Sequence, residues 1–85
     1  MPKPRNETGD KNLIAGRLVE LRKNFNPKLS QRALAQRLQL LGIDMDKNVI
    51  TRIETQKRYV TDIEIRALAQ IFNVSYAFLI DGDNQ

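Results

Sequence analysis

Eighty-five residues suffice for one small domain with a single core and leave no room for a separate catalytic or effector-binding domain. The chain has no cysteine and no histidine, which excludes disulfides, a thiolate nucleophile and a Cys-rich zinc site, and removes the commonest general base. Its net charge of +4 conceals a division: residues 11–58 carry eleven Lys or Arg against four acids, a net +7, whereas residues 59–85 carry Arg66 against four acids, a net −3. A basic stretch of this kind attracts a phosphate backbone, while evenly mixed charge would only solvate a surface.

Residues 1–11, MPKPRNETGDK, hold two prolines and no apolar periodicity, so they are expected to form a flexible N-terminal arm. A basic arm can enter a minor groove, but Lys3 and Arg5 are matched here by Glu7 and Asp10, which favours plain disorder. The opening residues lack the apolar segment of a secretion signal, and no apolar run approaches a bilayer span. A reducing, cytoplasmic setting with no membrane partner is the expectation. From about Asn12, Ile14, Leu18, Leu21 and Phe25 recur at helical spacing while Arg17, Glu20 and Lys23 face elsewhere, and Pro27 ends the helix. Ser30 has the chemistry of an N-cap for a second helix whose buried stripe is Leu34, Leu38 and Leu41, with Gly42 closing it. Asp46 caps a third helix that runs to about Thr55. Thr61 and Glu64 have capping-box spacing, so a fourth helix starts at Asp62 and buries Ile65, Leu68, Ala69 and Phe72. Ser75 caps a short fifth helix over 76–80, and residues 81–85 form a flexible acidic tail. The pattern predicts an all-α, compact five-helix bundle over residues 12–80, with no strand and no internal repeat.

Between Ser30 and Arg58 the chain reads as helix, glycine-containing turn and helix. On a wheel of the third helix, Ile53 and Glu54 flank Ile50 on the core side, and Asn48, Thr51, Arg52 and Thr55 spread over the far side. Periodicity alone would fit any polar helix surface; the chemistry is more selective. Asparagine bonds adenine bidentately, arginine bonds guanine bidentately, and threonine offers a hydroxyl and a methyl group. Lys47 stands at the exposed N-terminus, where a recognition helix meets bases or phosphates. Asp44, Asp46 and Asn48 share the first spacings of a calcium loop, but Val49 and Thr55 occupy the positions that need glycine and glutamate. Ser30 and Ser75 read as caps without a histidine partner, so an enzyme is not expected, nor is a metal or cofactor.

These residues resemble the Cro/C1-type, lambda-repressor-like helix-turn-helix domains. The likeness runs from about Asn12 to Ile80 and is carried by Arg22, by Leu29-Ser30-Gln31 leading into Leu34-Ala35-Gln36-Arg37-Leu38, by Ile50-Thr51-Arg52-Ile53-Glu54, and by Leu68-Ala69-Gln70-Ile71-Phe72-Asn73-Val74-Ser75 with Phe78-Leu79. The resemblance implies double-stranded DNA as partner, a homodimer on a palindromic operator and a role in transcription, as a repressor. It implies base reading by Lys47, Asn48, Thr51 and Arg52, backbone contact at Gln31, and a structural pair between Arg22 and Glu54; Arg32, Lys57, Arg58 and Tyr59 are expected to meet the backbone beside them. Two departures stand out. The turn from Leu40 to Met45 is several residues longer than the family's tight connection, and Gln56 replaces the glycine common after the recognition helix. A third helix that runs on by a turn there would change how Lys57 and Arg58 approach phosphate. The alternative is a protein-interaction module of the same fold, docking a partner on an apolar patch of Tyr76, Phe78 and Ile80.

Overall fold

A computed structural model describes residues 9–82, so the expectations for Lys3, Arg5, Glu7 and most of the tail lie outside the described residues. It contains five helices among those residues and no strand: α1 (Ala15–Asn24), α2 (Gln31–Leu40), α3 (Lys47–Glu54), α4 (Asp62–Phe72) and α5 (Tyr76–Asp81). Helix α2 packs against α3 and α4, α1 against α3, and α4 against α5. The shared core holds Ile14, Leu18, Leu34, Leu38, Met45, Ile50, Ile53, Leu68 and Leu79, all essentially inaccessible.

Four helices start as their sequences require. Ser30, Asp46, Thr61 and Ser75 each accept a hydrogen bond from a backbone amide in the first turn, and Thr61 and Glu64 form a reciprocal capping box. Helix α1 begins later than its apolar spacing suggested, because Asn12 is its anchor instead of its first turn. The Asn12 side-chain oxygen accepts from the amides of Ile14 (3.1 Å) and Ala15 (2.9 Å).

Three helices end alike. In α2 the amide of Gly42 donates to Gln39 and that of Ile43 to Leu38; in α3 the amide of Gln56 donates to Ile53 and that of Lys57 to Arg52; in α4 the amide of Asn73 donates to Gln70 and that of Val74 to Ala69. This double closure requires a left-handed residue, supplied by Gly42 (φ 83°), Gln56 (φ 65°) and Asn73 (φ 54°). So α3 does not run on by a turn: Gln56 takes the glycine conformation and stops it.

Two expectations for buried residues are corrected. Leu41 leaves the buried stripe of α2, being 40% exposed, because the helix ends at Leu40 and the turn carries Leu41 outward; Met45, 1% exposed, fills the core from the far side of the same turn. The patch of Tyr76, Phe78 and Ile80 is not one exposed surface. Phe78 and Ile80 are half-buried, Ile80 against the core, and only Tyr76 is open. Asp81 belongs to α5 and not to a tail, and Gly82 closes that helix with its amide on Phe78.

Candidate nucleic-acid interface

Helix α3 presents two chemically different sides. Its inner side is fixed by Glu54, whose carboxylate takes a two-pronged bond from the Arg22 guanidinium of α1, 2.8 Å from Nε and 3.0 Å from Nη2. The Gln31 amide of α2 donates to the same carboxylate at 2.8 Å. The Arg22 and Glu54 side chains are only 14% and 6% exposed, and Arg22 also donates to the Leu29 carbonyl at 3.2 Å. A charge pair so far removed from water is stable only when its polar atoms are bonded, and here each guanidinium nitrogen and each carboxylate oxygen has a partner. Gln31 continues the chain, accepting at 3.0 Å from the hydroxyl of Thr51, which also lies 3.1 Å from the Lys47 carbonyl. Three helices are thereby locked in a single relative orientation.

The outer side of α3 faces away from the rest of the described residues. Lys47, Asn48 and Arg52 are exposed, and none has a side-chain partner among the described residues. Thr51 is half-buried with its hydroxyl turned into the Gln31 network, and Thr55 bonds back to the Thr51 carbonyl at 2.8 Å. Arg32, at the start of α2, lines a cleft with Gln36, Gln39, Asp46, Lys47 and Asn48, so it borders the same surface. The six residues 41–46 that join the helices leave α2 and α3 packed together, with the long turn absorbed at Gly42.

Beyond α3 the cations differ in their freedom. Lys57 is exposed and unpartnered among the described residues. Arg58 is engaged: Nη1 and Nη2 each lie 3.0 Å from a Glu64 oxygen, and Nη1 also donates to the Tyr59 carbonyl. The bond to Glu64 raises the Arg58 pKa despite some desolvation. Burial alone would push the Glu64 carboxyl up, but Arg58 and the Thr61 amide outweigh it and hold it below its ordinary value. A fork already filled by a carboxylate meets phosphate only by sharing or exchanging that partner. Tyr59 is 67% exposed, and its ring lies 5.7 Å from the ammonium of Lys11.

The long-range contacts of two residues in this region escaped the sequence reading. Asn12, 7% exposed, donates from its amide nitrogen to the carbonyls of Ile53 and Arg58, both at 3.0 Å, while its oxygen anchors α1. The Gln56 side-chain oxygen accepts from the backbone amides of Lys11 and Asn12, each at 3.0 Å. A cap-type residue just before an apolar helix was a local signal for half of Asn12's role; its reach to α3 had no local signal.

An exposed polar helix held rigidly by its neighbours, with a second helix crossing behind it, defines a helix-turn-helix domain. Residues 18–79 match the helix-turn-helix family model, and the chain belongs to that family, in its Cro/C1 type. The family is one of DNA-binding regulatory domains and is not typically enzymatic. No significant match was found among curated proteins or solved structures. No helix among the described residues is long and apolar enough to cross a membrane.

Proposed function

We propose that this chain reads specific duplex DNA sequences in the major groove and represses transcription, as a cytoplasmic homodimer on a two-fold operator. The observation that carries this reading is the contrast across α3: an inner side locked by Arg22, Glu54 and Gln31, and an outer side on which Lys47, Asn48 and Arg52 are exposed without side-chain partners among the described residues. Polar groups that bond no described residue but sit on a rigid frame are ready to bond base edges. In this reading Lys47, Asn48, Thr51 and Arg52 read bases, and Arg32, Lys57 and Tyr59 meet the backbone. Gln31 braces α3 with one amide N–H and its oxygen, and its second N–H remains for the backbone. Repression needs only occupancy of the operator, and two copies double the few base contacts that one short helix can make.

The test is selection of bound duplexes from a random pool, followed by binding to the selected site over a salt series. Affinity for it should fall by orders of magnitude between about 50 and 200 mM salt if several phosphates are neutralised. A protein that binds no duplex at low salt would instead be a partner-docking module, for which the open side chains of Leu40, Tyr59 and Ile63 are available.

A further inference from the structure

Gln56 performs two tasks that glycine could not combine. It adopts the left-handed conformation that ends α3, and its side chain takes the consecutive amides of Lys11 and Asn12, 45 and 44 residues away. Asn12 completes the link by bonding the carbonyls of Ile53 and Arg58, one on either side of Gln56. The segment that enters α1 is thus fastened to the C-terminal end of the helix proposed to read DNA. Lys11 is exposed, its backbone is bonded to the residue next to Lys57, and its ammonium rests 5.7 Å from the centre of the open Tyr59 ring. Arg58, the other cation of this end, is held by Glu64.

We propose that Lys11 is a further phosphate-binding residue of this protein, set beside Lys57 and Tyr59 by Gln56 and Asn12, which act as positioning residues. The ligand is a phosphodiester of the DNA backbone flanking the bases read by α3. The structure substitutes one cation for another: the sequence-adjacent Arg58 is withdrawn into an ion pair, and Lys11, far away in sequence, takes up the same end of the helix. An ammonium stacked on a tyrosine edge of the interface keeps its charge and most of its hydration, so it can exchange the ring for a phosphate oxygen at small cost. This inference rests on the DNA-binding reading.

The experiment is a salt titration of the full chain on a mixed-sequence duplex of about 20 base pairs, which reads backbone contacts apart from base recognition. Lys11→Ala should reduce the slope of log affinity against log salt by about 0.9, so the variant loses roughly threefold less affinity than the parent between about 50 and 200 mM. Gln56→Gly keeps the left-handed turn and deletes only the clasp. It should lower the slope similarly with helical content unchanged, and the double variant should be no flatter than either single one. That non-additivity is a signature which a merely structural Gln56 would not give. Arg66→Ala removes the same charge from α4 and should leave the slope unaltered; an equal drop there would overturn the proposal by showing that the slope reads net charge alone. If the parent binds and Lys11→Ala keeps its slope, this proposal falls and the DNA-binding reading survives. If Lys11→Ala flattens the slope and Gln56→Gly does not, the positioning role is overturned. A parent that binds no duplex overturns both readings.

Discussion

Replacing Asn12 by Ala should cost this domain a large part of its stability. The side chain is 7% exposed and uses its full set of bonds: two amides on its oxygen and two carbonyls on its nitrogen, at 2.9 to 3.1 Å. At a net contribution of about 1 kcal/mol per bond, the loss is ~4 kcal/mol, since the orphaned groups of Ile53 and Ala15 have little access to water. A domain of this length is stable by roughly 4–13 kcal/mol, so the variant stands near the edge of folding. With about 4–8 °C of melting temperature per kcal/mol for domains of this size, Tm should drop by roughly 15–30 °C. Asn12→Asp refines the test. Its carboxylate still serves the Ile14 and Ala15 amides but sets a second oxygen against two carbonyls, so its folded pKa is raised. A raised carboxyl pKa means that the deficit is greatest above that pKa and shrinks as pH falls through it. Thermal melts across acid pH should therefore show Asn12→Asp recovering relative to Asn12→Ala. A Tm within about 5 °C of the parent for Asn12→Ala would refute the bond-by-bond reasoning and mean that water replaces the side chain.

Arg22→Ala should destabilise by about 3 kcal/mol, read by chemical denaturation, because the 6%-exposed Glu54 carboxylate keeps only Gln31. Arg22→Ala together with Glu54→Leu should recover part of that loss, since no charge is then left unpaired. Arg52→Ala should weaken binding to the selected operator by about 1–3 kcal/mol and relax one base position per half-site, while an equal loss on all single-base variants would assign Arg52 to phosphate. Glu64, held below its ordinary 4.5, contributes stability that is present above that pH and lost as pH falls through its lowered folded value. Melts of the parent should show this acid loss, and Glu64→Gln should flatten it.

Local chemistry was legible in the sequence, and distant chemistry was not. Ser30, Asp46, Thr61 and Ser75 announced their helices because a cap acts within one turn, and the apolar spacing of α4 named its buried face correctly. Leu41 misled because one more step of the same period could be drawn through a residue that lies past the end of its helix. Lys47, Asn48 and Arg52 were found on the outer side of α3 because exposure follows from the wheel. Glu64 was recognised only as a capping residue, and its bond to Arg58, across the loop, had no periodic signature. Gln56 was visible as a departure from glycine, but only its contact with Lys11 and Asn12 explains why a residue with a side chain occupies a conformation that costs roughly 1–2 kcal/mol.

The chain of bonds from Arg22 to Thr51 has a polarity as well as a rigidity. Arg22 can only donate, so Glu54 accepts; the Gln31 amide nitrogen must then turn to Glu54, which leaves its oxygen facing Thr51. The single proton of the Thr51 hydroxyl is consumed inside the protein, whether by Gln31 or by the Lys47 carbonyl. What remains on that oxygen for an outside partner is lone-pair density. In the proposed reading role Thr51 would therefore welcome the amino group of adenine or cytosine and find no bond with the O6 of guanine or the O4 of thymine. A guanidinium on α1 thus fixes, through Glu54 and Gln31, which way the amide beside Thr51 points, and Gln31→Glu, which would set a second carboxylate against Glu54, should break that relay.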